Sequence, residues 1–250
     1  MRTLGASHAG RVRANNQDAF VSGVLTEKAA FVVVCDGMGG ANGGNIASGI
    51  AVRCIADRLI DGYRDSADRE TIRALMTEAI ADANTEIYET SLESPDLRGM
   101  GTTAVAAVVT DDTAYIMHVG DSRAYWITHS SIRQVTRDHS VVQEMVEQGT
   151  ITQEESRTHP QKHFLTRALG VERDMDGEFA TVALTEPGTL LVCTDGLTNM
   201  VTDETIQSLV RTFPFEEISN KLINTANLAG GSDNITVVVV AHQEQTQEVS

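Results

Sequence analysis

Apolar positions along this chain form short unbroken runs, with stripes of helical period between them. Phe31–Cys35 reads FVVVC, a β-branched run suited to a strand covered on both faces. Thr103–Val109 is of the same kind. Ala114–Val119 and Ala124–Ile127 flank Gly120-Asp121-Ser122-Arg123, which reads as a hairpin turn. Leu190–Thr194 and Ile235–Ala241 are two further strand candidates. In Asn45–Tyr63, Ala47, Ala51, Ile55 and Leu59 share one stripe, and in Thr71–Thr90 the residues Ile72, Leu75, Met76, Ala79, Ile80, Ala83 and Ile87 follow i, i+3, i+4 spacing. Val141–Val146 predicts a short helix stopped by Gly149, and Phe215–Ala226 a late helix ended by Gly230-Gly231. Thr150–Leu169 is polar, lacks clear period and contains His159-Pro160, so it reads as a long irregular excursion. Strands follow one another directly as well as through helices. That order implies an α+β layering, with helices outside the sheets, rather than regular βαβ units.

Composition supports a single core. The chain has 250 residues, 41 % of them hydrophobic and only 4 of them proline, with no linker-like stretch. Residues 1–242 are expected to form one domain, followed by a short polar tail at 243–250. A balance of 19 basic against 35 acidic residues gives a formal net charge of −16. This argues against nucleic acid and anionic membrane surfaces as partners, since both require cationic patches. Cys35, Cys54 and Cys193 sit in apolar stretches without a CxxC pair and read as small buried hydrophobes, not as a disulfide framework. No apolar leader and no run near the roughly 18 residues of a spanning helix are visible, so a cytoplasmic location is expected.

The candidate chemistry lies where strands end. Asp36-Gly37 follows VVVC, Gly120-Asp121-Ser122 follows MHV, Asp195-Gly196 follows LLVCT, and Gly231-Ser232-Asp233-Asn234 runs into ITVVVV. Asp18 just precedes the apolar patch Ala19-Phe20-Val21. One such corner is ordinary turn chemistry. Several at a common sheet edge would crowd carboxylates that repel without a cation, and such hard oxygen donors suit Mg²⁺ or Mn²⁺. His159 and His163 lack the company a zinc site needs. The glycines of Asp36–Gly44 lack both the Gly-Lys-Ser/Thr ending of a P-loop and a GxGxxG spacing. Arg11 and Arg13 stand just upstream of Asp18, and an arginine beside such a cluster is a natural fork for a phosphate dianion.

These segments together resemble the metal-dependent protein phosphatases of type 2C, especially compact bacterial members. The likeness runs through Arg13-Ala-Asn-Asn-Gln-Asp18, Asp36-Gly-Met-Gly-Gly40, Gly101-Thr-Thr103, Val119-Gly-Asp-Ser-Arg123, Thr136-Arg-Asp-His139, Leu165-Thr-Arg-Ala-Leu-Gly170, Asp195-Gly-Leu197 and Gly231-Ser-Asp-Asn234. The resemblance implies an αββα four-layer sandwich, two mostly antiparallel sheets flanked by helices. It implies two core Mn²⁺ or Mg²⁺ ions. Asp36 would bridge them, Asp195 and Asp233 would ligate the first, and the Gly37 carbonyl the second, with Asp18 nearby through water. Asp121 would hold a third, weaker ion shared with Asp195, and Arg13 would bind the substrate phosphate. Gln17 and Asn234 would lie beside the site, and the excursion before LTRALG would be the family's flap. The implied activity is hydrolysis of phosphoserine and phosphothreonine in proteins by a metal-bridging water, opposing a Ser/Thr kinase.

The chain departs from the family's pattern in two places. Met38 and Ala41 stand where many relatives carry a histidine, which removes the suggested general acid. Gln17 stands where many have glutamate, which removes a charge near the second ion. Two other readings stay open: a non-catalytic binding module on the same fold, and a phosphatase dedicated to one regulatory partner. Asp138 and His139 are read as bracing a turn.

Overall fold

A computed structural model describes residues 1–40 and 43–242. Ala41 and the tail at 243–250 lie outside the described residues. In chain order the strands are β1 (Arg2–His8), β2 (Asp18–Thr26), β3 (Ala29–Met38), β4 (Gly101–Thr102), β5 (Ala104–Val109), β6 (Thr113–Val119), β7 (Arg123–Thr128), β8 (Ile132–Gln134), β9 (Glu178–Ala183), β10 (Gly188–Cys193) and β11 (Ile235–His242). The helices are α1 (Gly43–Gly62), α2 (Arg69–Glu93), α3 (Val141–Glu147), α4 (Gln153–Thr158), α5 (Asp195–Thr198), α6 (Asp203–Thr212) and α7 (Phe215–Leu228). One sheet has the order β1-β11-β10-β7-β8 and the other β2-β3-β5-β6-β9, with β4 added beside β3. All the pairings are antiparallel.

The unbroken apolar runs are explained by burial on both faces. In β3, Ala30, Val32 and Val34 point between the sheets, where they meet Leu190, Val238 and Val240. Phe31, Val33 and Cys35 point the other way, onto Ala47, Ala51, Ile55 and Leu59 of α1 and onto the apolar stripe of α2. The β1 sheet repeats the arrangement. Val237 and Val239 of β11 face outward, against Ile206 of α6 and Ile218, Leu222 and Ala226 of α7. Helices, two sheets and helices therefore stack as four layers, the αββα sandwich that the resemblance implies.

Four expectations need correction. The segment 120–123 is not a hairpin, because β6 pairs with β5 and β9 while β7 pairs with β10 and β8. It carries the chain from one sheet to the other. The excursion at Thr150–Leu169 contains α4, started by a capping box in which Thr152 and Glu155 satisfy each other's backbone N–H groups. Cys54 is half-buried on α1, and its thiol donates to Glu86 at 2.9 Å, while Cys35 and Cys193 are fully buried. Thr194 does not continue β10 but caps α5.

Candidate metal centre

The loops at one end of the sandwich converge on the aspartates. Asp18 opens β2 and pairs across strands with Asp36 near the end of β3. Asp195 is the first residue of α5, one residue beyond the end of β10, and Asp233 precedes β11. Asp121 sits in the crossover between the sheets. Close backbone packing explains the glycines beside them. A Cβ on Gly37 would lie 2.0 Å from the Gly44 carbonyl oxygen, and one on Gly196 1.9 Å from that of Asn234. Any larger residue would push these corners apart.

Neutral donors hold the Asp18 flank. One Asp18 oxygen accepts from Thr194 Oγ1 at 2.9 Å and Thr236 Oγ1 at 2.7 Å, so hydroxyls from the cap of α5 and from β11 in one half hold a carboxylate from the other. Asn234 donates to the carbonyls of Ala9 and Asn15, at 3.1 and 2.9 Å, and accepts from Gln17 N–H at 2.8 Å. That clamp fastens the whole loop bearing Arg13 to the start of β11. The Gln17 carbonyl accepts from Gly37 N–H and Ser48 Oγ, and its side chain donates to Gly40 O. Gln17 therefore shapes the Gly37–Gly40 turn.

Charges hold the Asp121 flank. Arg123 donates to both oxygens of Asp138, the shortest bond being 2.6 Å, and also to Tyr125 Oη. Gln134 completes the Asp138 shell at 2.9 Å. His139 N–H donates to Gly120 O, and Gly120 N–H donates back to His139 Nδ1 at 3.1 Å. His139 then carries its proton on Nε2, 3.3 Å from Glu178. Its ring stacks on His118 at 4.7 Å, and His118 Nε2 donates to Arg137 O. Ligand atoms of His118, His139 and Glu178 lie within 4.8 Å of one another, as a metal would require. However, the Gly120 bond occupies the only lone pair of neutral His139. Here the trio acts as a brace for the Asp121 turn.

The carboxylates are under electrostatic stress. Burial, then neighbouring carboxylates, pushes Asp36 and Asp121 well above the usual carboxylate range. Asp195 is raised by burial and Asp233. Asp18 is pushed up to about 7 by burial, despite its two hydroxyl donors. Asp18 Oδ1 and Asp195 Oδ1 are buried without a hydrogen-bond partner. Arg13 brings a cation to this end, and its Nη2 donates to Asp233 Oδ2 at 2.8 Å. A set of hard oxygen donors with buried, unpaired lone pairs is what a divalent cation would relieve, and Mn²⁺ or Mg²⁺ fits it.

Comparison with known proteins decides the family. The Protein phosphatase 2C family matches residues 4–236. The chain belongs to that family. It is 38 % identical over 237 residues to the serine/threonine phosphatase stp of Listeria monocytogenes serotype 4b (strain F2365), covering 92 % of each chain. It is 35 % identical over 240 residues to the protein phosphatase PhpP of Streptococcus pneumoniae, covering 96 % of each. The solved structure of serine/threonine phosphatase Stp1 from Staphylococcus aureus superposes with a TM-score of 0.90 at 32 % identity, over 97 % of this chain and 94 % of that one. The catalytic domain of the serine threonine protein phosphatase PstP in complex with 2 manganese ions superposes with a TM-score of 0.82 at 32 % identity, over 95 % and 96 %.

Within this phosphatase 2C fold the loops bring together Arg13, Asp18, Asp36, Asp121, Asp195 and Asp233, with Gly37, Gln17 and Asn234 beside them. Thr194, Thr236 and Gln134 were not among the sequence candidates, and Arg123 was quoted only as part of the Val119–Arg123 motif, because an isolated hydroxyl or a paired charge has no distinctive spacing. Arg13 is 55 % exposed at its side chain and its charge also acts on Asp36 and Asp195, so a ligand from solvent can reach it. Met38 pairs with Gly101 at the end of β3, a position without acid–base capacity. Among the described residues no helix is long and apolar enough to cross a membrane.

Proposed function

We propose that this chain is a metal-dependent phosphoserine/phosphothreonine protein phosphatase that opposes a Ser/Thr kinase in the cytoplasm. Residues 1–242 form its catalytic domain and 243–250 a short polar tail. One observation carries the reading. Five buried or half-buried carboxylates converge beside the exposed Arg13, with two oxygens left unpaired.

Asp36 would be shared between two core ions, with Asp195 and Asp233 completing one set and the Gly37 carbonyl and Asp18 the other. Asp121, with Asp195, would hold a third. Bound Mn²⁺ or Mg²⁺ supplies Lewis acidity to water and to a phosphate ester. The protein's share is positional. Thr194 and Thr236 fix the direction of Asp18, and Asn199 fixes Asp195 by donating at 2.8 Å. Arg13 exchanges its bond with Asp233 for the phosphoryl oxygens and neutralises charge developing on them. With Met38 in place of a histidine, the side chain at that position offers no proton to the departing alkoxide.

The test is phosphate release from a phosphothreonine peptide with Mn²⁺, with Mg²⁺ and with chelator, using wild type and Asp195→Ala. Metal-dependent release that falls at least about a hundred-fold in the variant supports the reading. Manganese binding without release from any phosphopeptide would make the chain a binding module instead.

A further inference from the structure

A cleft of about 450 Å³ opens from Asp121 and Asp195 and runs away from them between the excursion bearing α4 and the α5–α6 segment. Its walls alternate acid and base, but not all of its charges are available. Arg123 is spent on Asp138, and Arg137 is spent on Glu147. Two cations lining the cleft remain, Arg157 at the end of α4 and the half-buried Lys162, and neither side chain appears in a described hydrogen bond or ion pair. Arg157 does act at a distance on Glu204, across the cleft on α6, so it faces the opening. His163, the next residue after Lys162, likewise acts on Asp195, which places this stretch over the aspartates. The cleft floor supplies Thr198 and Thr202 hydroxyls and the edge of Val142, polar and apolar footing for an extended chain.

The cleft is lined by four bases, Arg123, Arg137, Arg157 and Lys162, and four acids, Asp121, Asp138, Asp195 and Asp203, whereas the whole chain has 19 bases against 35 acids, so this surface is far less anionic than the rest. At about 450 Å³ the cleft is larger than a phosphate group alone would fill. We propose that Arg157 and Lys162 select protein substrates carrying acidic residues beside the phosphorylated serine or threonine, with the flanking segment lying in this cleft. The proposal rests on the phosphatase reading and names the sequence context that the site prefers. The acidic side chains would pair with Arg157 and Lys162, offsetting the repulsion that an acidic substrate meets from the rest of the surface. Exposed pairs of this kind each change an affinity by up to about five-fold, and salt weakens them.

The experiment compares kcat/KM of the full chain, with Mn²⁺, on two phosphothreonine peptides and on a small aryl phosphate. One peptide carries glutamates on both sides of the phosphothreonine, the other alanines. The variants are Arg157→Ala, Lys162→Ala and the double variant, with the charge-retaining Lys162→Arg as a control. Wild type is expected to favour the glutamate peptide by roughly ten-fold at low salt, carried mainly in KM. The double variant loses most of that preference and keeps its rate on the aryl phosphate, Lys162→Arg keeps the preference, and raising the salt erodes it in wild type and in Lys162→Arg alike. Equal wild-type rates on both peptides overturn the proposal, as does a preference that survives the double variant, while aryl phosphate hydrolysis leaves the phosphatase reading standing. Hydrolysis of no ester at all overturns that reading, and this proposal with it.

Discussion

The two flanks of the aspartate centre solve one problem in different ways. On the Asp18 side, a stressed carboxylate and the loop behind it are held by neutral groups: Thr194, Thr236 and the Asn234 clamp. On the Asp121 side, the turn is held by a buried ion pair, Arg123–Asp138, and by two stacked histidines. Neutral donors suit the first flank because Asp18 must keep one oxygen unpaired. A cation placed there would compete with the metal. The second flank can use charge because Arg123 is saturated by Asp138, Gln134 completes the shell, and little of that charge is left to act on Asp121. The difference teaches that a metal site can be pre-formed without metal if the bracing charges cancel locally.

The sharpest way to break this comparison is to unbalance the ionic flank. Arg123→Met leaves Asp138, whose side chain is 10 % exposed, as an anion without its partner. A loss of about 3–5 kcal/mol is expected from chemical denaturation. The double variant Arg123→Met/Asp138→Leu should cost less than the single one, because no unpaired charge remains. A single variant within about 1 kcal/mol of wild type would show that the pair is not a structural brace. The neutral flank should respond more mildly. Asn234→Ala removes bonds to Ala9, Asn15 and Gln17 and should cost about 2–3 kcal/mol. It should also weaken Mn²⁺ binding in a titration, since the loop from Asn15 leads directly into Asp18. Unchanged Mn²⁺ affinity in a folded Asn234→Ala protein would separate the clamp from the site.

Much of this arrangement was legible in the residues. Strands buried on both faces show as unbroken apolar runs, and β3, β5 and β11 were found on that signal. So were the aspartate corners, because a sheet edge forces them to recur in one local pattern. Among the elements missed are two edge strands. β1 (RTLGASH) and β9 (EFATVA) lie at the edges of their sheets and bury only part of their length, so neither pattern reaches significance. The Gly120 turn looked like a hairpin because sequence cannot say whether two adjacent strands pair or part. α4 carried a readable capping box, Thr152-Gln-Glu-Glu155, which the polar surroundings disguised. Residues that act by supporting others, such as Thr236 and Arg123, become visible only once the fold sets them beside their partners.

The smallest expected effect is the most specific, because the aspartates of the centre and the bracing His139 titrate with opposite signs. In chelated protein the folded state keeps Asp18 protonated up to about 7, whereas the unfolded carboxyl ionises near 3.8. The unfolded chain therefore releases its proton first, and stability falls as pH rises between those values. Asp36, Asp121 and Asp195, all raised, act in the same direction. His139 does the reverse. Burial and then His118 hold its pKa below 6.5, so the unfolded state binds a proton that the folded state refuses, and stability falls as pH drops through 6.5. Denaturation in chelator across about pH 5 to 8 should show the carboxylate slope partly offset at the acid end. His139→Gln retains an acceptor for Gly120 N–H but cannot titrate, so it should leave the carboxylate slope undiminished there. Saturating Mn²⁺ should reverse the carboxylate slope, because the ion displaces those protons, and leave the histidine contribution in place. An unchanged acid limb in His139→Gln would mean that the ionic flank does not sense pH through this ring.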